Sequence, residues 1–189
     1  SPCHGPPPPV RLWPNRRWNV SRLLGLCLFL ALGLAQKPQV LIGTGGVGGV
    51  YFYYGTAVAE ILNKSGAVQA QAMQSGGSIE NLLLLRDRTD PARGVYYCGT
   101  ALPDAVLMAH QGEERFQGKP APVRILFTMY PNYFHVVTTE ESGIRVLQDL
   151  RGKRVSTEVA GGIIEYEART LMAAAIPGFD PRVHFAKWE

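Results

Sequence analysis

The chain has 189 residues, 46% of them apolar and 18% charged, which is enough for a domain with a sizeable core and too apolar for intrinsic disorder. Its 21 Gly and 14 Pro follow no fixed period, so a fibrous repeat is excluded. The formal charge of +4 resides in Arg11, Arg16, Arg17 and Arg22, and the remainder is balanced between acidic and basic residues, whereas a nucleic-acid-binding surface needs surplus positive charge in the folded part.

The first elements read as an address. Arg16, Arg17 and Arg22 precede the uncharged run Leu23–Ala35, with Gly33 and Ala35 at the small-residue positions of a cleavage site. At roughly 1.5 Å per residue this run reaches about 20 Å, short of the roughly 30 Å hydrocarbon core, so a secretory signal is expected over a membrane anchor. Leu26 stands before Cys27 where a lipobox wants a small residue, and Trp18-Asn19 after the arginine pair fits a twin-arginine signal poorly. The opening Ser-Pro-Cys-His-Gly-Pro-Pro-Pro-Pro has no initiator Met and reads as upstream sequence or a fragment edge. Cys3 and Cys27 would leave with the leader. Cys98 alone then remains, expected as a small buried hydrophobe, and His110, His135 and His184 are too scattered to suggest a metal site.

From residue 39 strands and helices alternate. Gln39–Ile42 predicts a strand, and Val50, Tyr54, Val58 and Leu62, with Ala57 and Ile61 beside them, predict the apolar face of a helix. Ala67–Met73 alternates as a half-buried strand. Ser78 is the expected N-cap of a short helix through Arg86, with Glu80 in its first turn. Val95–Cys98 is the next strand and 104–110 the next helix. Strands are then expected at 123–129 and 134–138, joined by a crossing segment at Tyr130-Pro-Asn-Tyr133. A helix is expected at 142–150, a strand at 153–157, and a helix from about Ile164 to Ala175 carrying the i,i+4 pair Glu165 and Arg169. This order predicts an α/β protein with a mainly parallel sheet and a second lobe after residue 130.

Gly43-x-Gly45-x-x-Gly48 between strand and helix has the spacing of a dinucleotide fingerprint, but residues 61–79 contain no Asp or Glu to hold a ribose. No Lys-Ser/Thr pair closes the run as a P-loop would. The physical point beneath both motifs survives: glycines bring backbone amides against a ligand at a helix N-terminus. Ser75–Ser78 repeats the device, and Gly161-Gly162 repeats it again. Helix N-termini at the carboxyl ends of parallel strands, each worth about 0.3–1 kcal/mol toward an anion, could together hold a carboxylate. The alternative is that these glycines only make tight turns.

Four ordered motifs make the chain similar to a known family. Ile42-Gly-Thr-Gly-Gly-Val-Gly-Gly-Val-Tyr51, Gln74-Ser-Gly-Gly-Ser-Ile-Glu-Asn-Leu82, Tyr130-Pro-x-x-x-His-Val-Val137 and Ser142-Gly-Ile-x-x-Leu-x-Asp-Leu-x-Gly-Lys-Arg-Val155 resemble the TAXI family, the extracytoplasmic solute receptors of TRAP transporters. The resemblance covers roughly residues 39–189. It implies a type II periplasmic-binding-protein-like fold of two α/β lobes and a hinge, with residues 1–35 as leader, 36–130 as first lobe and 131–189 as a partial second lobe. It further implies a periplasmic monomer without catalysis or cofactor, capturing an amino acid such as glutamate or another carboxylate for the membrane subunits of a TRAP permease.

Carried over by motif, the ligand-binding residues would be Thr44, Gly46, Val47, Gly48 and Tyr51 from the first loop. Ser75, Gly77 and Ser78 would come from the second, Gly161, Gly162 and Glu165 from the third, with Asp104 and His135 between. Tyr130 and His135 lie where the chain would cross between lobes. Gly161-Gly-Ile-Ile-Glu165 lacks the hydroxyls common at this loop, and each lost hydrogen bond costs about 0.5–1.5 kcal/mol; a ligand with an apolar portion, or weaker binding, is the expectation. Asp104 follows Ala-Leu-Pro rather than the usual polar run, so capping its helix is the alternative role. The chain stops at Phe185-Ala-Lys-Trp-Glu189, before the segments that finish the second lobe in the family, so the second wall is expected to be incomplete. A truncated chain that binds nothing stays open as an alternative function, as does a dinucleotide-dependent oxidoreductase.

Overall fold

The computed structural model describes residues 37–157 and 160–180. The leader with Cys3 and Cys27, and His184 with the C-terminal residues after it, lie outside the described residues. Three parallel strands, β1 (Gln39–Gly43), β2 (Gln69–Met73) and β3 (Val95–Gly99), form a sheet in the order β2-β1-β3. Gln39 pairs with Gln69 on one side and Val95 on the other, so the three strands end level at Gly43, Met73 and Gly99.

Helix α1 (Val50–Lys64) joins β1 to β2, and α2 (Ser78–Arg88) joins β2 to β3. Side-chain alternation along the strands places the two helices on opposite faces. A Cβ on Gly55 of α1 would meet Ile42 and Ala72, whereas Cβ atoms on Gly43 and Gly99 would meet Asn81 of α2. The chain therefore leaves β1 toward one neighbour and reaches the other by crossing over, and the carboxyl ends of β1 and β3 flank the switch point.

The buried face of α1 differs from the one its apolar periodicity predicts. Gly55 and Ala59 face the sheet and Val58 and Leu62 are half-buried, while Val50, Tyr54, Ala57 and Ile61 are exposed, Ile61 by 67%. Close approach decides it, because a Cβ on Gly55 would come within 2.4 Å of the Thr44 methyl, so only the small-residue stripe fits. Asn63 closes the outer edge of β2, donating from Nδ2 to the Ala70 carbonyl at 2.8 Å and accepting the Ala70 N–H at 2.7 Å.

Ser78 is not the N-cap of α2. Gly77 occupies that place with φ +88°, and Ser78 is the first helical residue, its hydroxyl accepting the Leu102 N–H at 3.1 Å. Helix α3 (Pro103–Gln111) follows β3 and ends at Gly112, φ +73°. Ile79, Leu82, Leu102, Ala105, Met108, Ala109, Phe116 and Ala121 form the main core with Ile163 of α4 (Ile163–Ala175). Phe116 is fully buried beneath the Arg86 guanidinium, 5.6 Å from its ring centre. The far end of α4 builds a smaller core, in which Leu150, Met172 and Ile176 pack with Ile144, Leu147 and Val155.

The strands expected at 123–129, 134–138 and 153–157 are not formed. A strand is held by its ladder, and among the described residues these segments lie beside no partner. Val123 and Val155 pack against the two cores, while most of the other apolar side chains are left open, Val137 by 88%. The expected helix at 142–150 is two 3₁₀ turns, Glu140–Ser142 and Leu147–Leu150, interrupted by Gly143 at φ +70°. Asp149 holds the second by accepting the N–H groups of Arg145 and Val146.

Candidate functional site

The site grows from the level carboxyl ends of the strands. Gly49 is the extended N-cap of α1, and its N–H closes a turn onto the Gly46 carbonyl at 2.8 Å. That turn lifts Gly46, Val47 and Gly48 into solvent, where their amides have no protein partner among the described residues. Three backbone donors thus stand before the N-terminus of a 15-residue helix.

The hydroxyls expected to touch a ligand are committed within the protein. Thr44 is fully buried and donates to the Met73 carbonyl at 2.6 Å. Ser75 donates to Asn81 Oδ1 at 2.6 Å and accepts the Gly77 N–H at 3.1 Å. Ser78 accepts from Leu102 and shares a hydrogen bond with the Tyr51 phenol.

Asn81, which the sequence reading placed only as part of a helix, sits at the centre of these contacts. It is fully buried, and its Nδ2 donates to the carbonyls of Thr44 at 2.7 Å and Thr100 at 2.8 Å. One amide therefore ties together the ends of β1 and β3 and the loop after β2. Its signal was the glycine pair: Gly43 and Gly99 face each other across the ladder, and the space above them is where the amide lies.

Tyr51, half-buried in the first turn of α1, interacts electrostatically with two carboxyls of a cavity of about 450 Å³ that it does not itself line. Phe134, Tyr166, Leu171 and Ala174 form its apolar walls with Thr170, and Asp104 and Glu167 contribute carboxyls. Tyr130 packs against α1, its ring 5.2 Å from that of Tyr54 and 6.4 Å from that of Tyr51. Burial raises the Tyr51 phenol, with Tyr130, Asp104 and Glu167 adding to the rise against the Ser78 hydrogen bond. Glu167 is pushed up to about 7, first by burial and then by its hydrogen bond to Asp104 and that group's charge.

Of the residues expected to bind a ligand, Asp104 lines this cavity, and Tyr51 and Ser78 lie outside its walls. Gly161, Gly162 and Glu165 are not in it. The two glycines line a separate cavity of about 50 Å³ beside Arg115 and Arg169. Glu165 accepts the Gly161 N–H at 2.5 Å and lies 4.0 Å from Arg169, the i,i+4 pair its spacing predicts. His135 is exposed, edge-on to Tyr133 at 6.5 Å, and lines neither cavity. The acid that does face the larger cavity, Glu167, was missed. Its signal was a carboxylate on the stripe Glu167, Thr170, Leu171 and Ala174, spaced i, i+3, i+4, i+7 on α4. Cys98 is half-buried and free, its thiol pushed up by burial. Among the described residues no His, Cys, Asp and Glu cluster could hold a metal.

Glu167 gives stability an inverted pH dependence. Its carboxyl would titrate near 4.5 when unfolded and near 7 when folded, so between these values the folded state keeps a proton that the unfolded state has lost. Its stabilising contribution is complete below about pH 4.5 and is lost as pH rises through about 7. Unfolding midpoints should therefore fall for the wild type relative to Glu167→Gln between pH 5 and pH 8. Parallel curves for the two proteins would contradict the raised carboxyl of Glu167.

Parallel strands ending at a switch point and exposed amides at a helix N-terminus, together with a cavity lined from α3 and α4, are features suited to binding a small molecule. Residues 42–181, most of the chain, match the NMT1-like family, and the chain belongs to it: a family of solute-binding proteins with the α/β fold of periplasmic binding proteins.

Proposed function

We propose that this protein is an exported solute receptor of the TAXI type, which binds a small organic anion and delivers it to a TRAP permease without chemical conversion. The observation that carries the reading is the set of unpartnered amides at Gly46, Val47 and Gly48 before α1. Their donors and the positive end of the helix dipole favour a carboxylate there. In this reading Tyr51 and Asp104 border the bound solute, and Thr44, Ser75, Gly77 and Ser78 act by fixing the loops. Residues from 131 onward supply the second wall, to which Gly161, Gly162, Glu165 and His135 would belong. The run Leu23–Ala35 directs export.

The test is thermal unfolding of the full chain with and without a millimolar panel of dicarboxylates, 2-oxo acids and amino acids. A solute at a hundred times its Kd should add about 2.7 kcal/mol of stability. A clear upward shift with one class supports the receptor. A cooperative transition that no member moves overturns it in favour of a folded chain without solute-binding function.

A further inference from the structure

The 450 Å³ cavity lined from α3 and α4 has a composition that a plain carboxylate does not explain. Its walls are apolar and aromatic, yet two carboxyls, Asp104 on α3 and Glu167 on α4, stand together in it. Neither is paired with a Lys or Arg among the described residues. The nearest cation along α4, Arg169, is turned toward Glu114 at 3.6 Å and Glu165. Asp104 accepts only the adjacent Ala105 N–H at 3.0 Å besides its contact with Glu167.

Half-buried carboxyls without a cation are costly, and a structure retains them where something else supplies the opposite charge. A second carboxylate brought to this cavity would be repelled. A protonated nitrogen would take the place of the proton on Glu167, and the aromatic side chains of Tyr166 and Phe134 line the same cavity. Tyr51, in the first turn after the glycine loop, interacts electrostatically with both acids, and in the receptor reading the loop takes the solute's anionic end.

Resting on the receptor reading above, we infer that the solute carries a protonated nitrogen on an apolar body, and that Asp104 and Glu167 are the residues that select for it. A hydrophobic amino acid meets all three demands. An acid that merely lacks the nitrogen should bind about tenfold to a hundredfold more weakly, the range of one to a few charge-assisted hydrogen bonds.

The probes are leucine, isoleucine, valine, phenylalanine and methionine, each beside its 2-oxo counterpart and its decarboxylated amine, titrated calorimetrically into the full chain. Amino acids should bind, their 2-oxo counterparts should bind at least tenfold more weakly, and Glu167→Gln should erase that difference. Binding of the amino acid near pH 7 should also release protons, read from buffers of different ionisation enthalpy. The groups facing Glu167 are Asp104 from α3 and Tyr51 from α1, and Glu167 is the group whose carboxyl is raised into this range. An unchanged far-UV spectrum confirms that Glu167→Gln is folded.

Equal binding of amino and 2-oxo acids overturns the inference and leaves the receptor standing. Retention of the preference in both Glu167→Gln and Asp104→Asn overturns it as well. Silence of the whole set also overturns it, and the wider carboxylate panel then decides separately whether the receptor reading falls.

Discussion

Replacing Asn81 by leucine is expected to destabilise the fold by about 3–5 kcal/mol, although leucine is close to asparagine in size. The amide is fully buried and saturated: Nδ2 reaches the Thr44 and Thr100 carbonyls, and Oδ1 receives the Ser75 hydroxyl. Leucine removes all three bonds and strands three polar groups at once. Each such group, if it stays buried, costs about 1–3 kcal/mol. The Thr44 carbonyl has a partial replacement in the Thr100 hydroxyl at 3.3 Å, which keeps the total below the simple maximum. Asn81→Asp is the informative companion, because it preserves shape while removing the donors and setting a carboxylate against two carbonyls. Both variants should unfold at markedly lower denaturant midpoint with the slope unchanged. A loss under about 1 kcal/mol for Asn81→Leu would mean that the loops are held by something else.

The contrast between what could and could not be read in advance follows from the range of the interactions concerned. The alternation of β1, α1, β2, α2, β3 and α3 was legible because each element writes its own period or its own glycine boundary. The buried side of α1 was not, because apolar periodicity favours Val50, Tyr54 and Ile61, while the distance to Thr44 favours Gly55 and Ala59. The segments 123–129 and 134–138 have the composition of strands, but being a strand depends on a neighbour that local sequence does not specify. In the candidate site the exposed glycine loop was legible from its spacing, whereas Tyr51 and Asp104 came only with the family resemblance. Glu165 drew attention as the nearer acid to the third glycine pair. It turns back onto Gly161, and Glu167, one further along an otherwise uncharged stripe, takes the place in the cavity.

Gly43→Ala should cost about 2–3 kcal/mol in the wild type and less than about 1 kcal/mol in an Asn81→Ala background. The reason is which atoms the new methyl meets. A Cβ on Gly43 would lie 2.3 Å from Asn81 Oδ1 and 2.9 Å from its Cγ, but 3.4 Å from its Cβ. Truncating Asn81 to alanine removes the first two atoms and leaves an ordinary contact. Gly99 supplies the control, since its Cβ would meet Asn81 Cβ itself at 2.7 Å, an atom that alanine retains. Gly99→Ala should therefore remain costly in both backgrounds. Rescue at 43 without rescue at 99, measured by urea unfolding of the single and double variants, would locate the Asn81 side chain above the paired glycines. Equal penalties in both backgrounds at 43 would place the amide elsewhere. The same geometry links stability to binding: Thr44 and Thr100, the residues after these glycines, begin the loops of the site, so a methyl that displaces Asn81 releases their carbonyls and lets the loops drift from the solute.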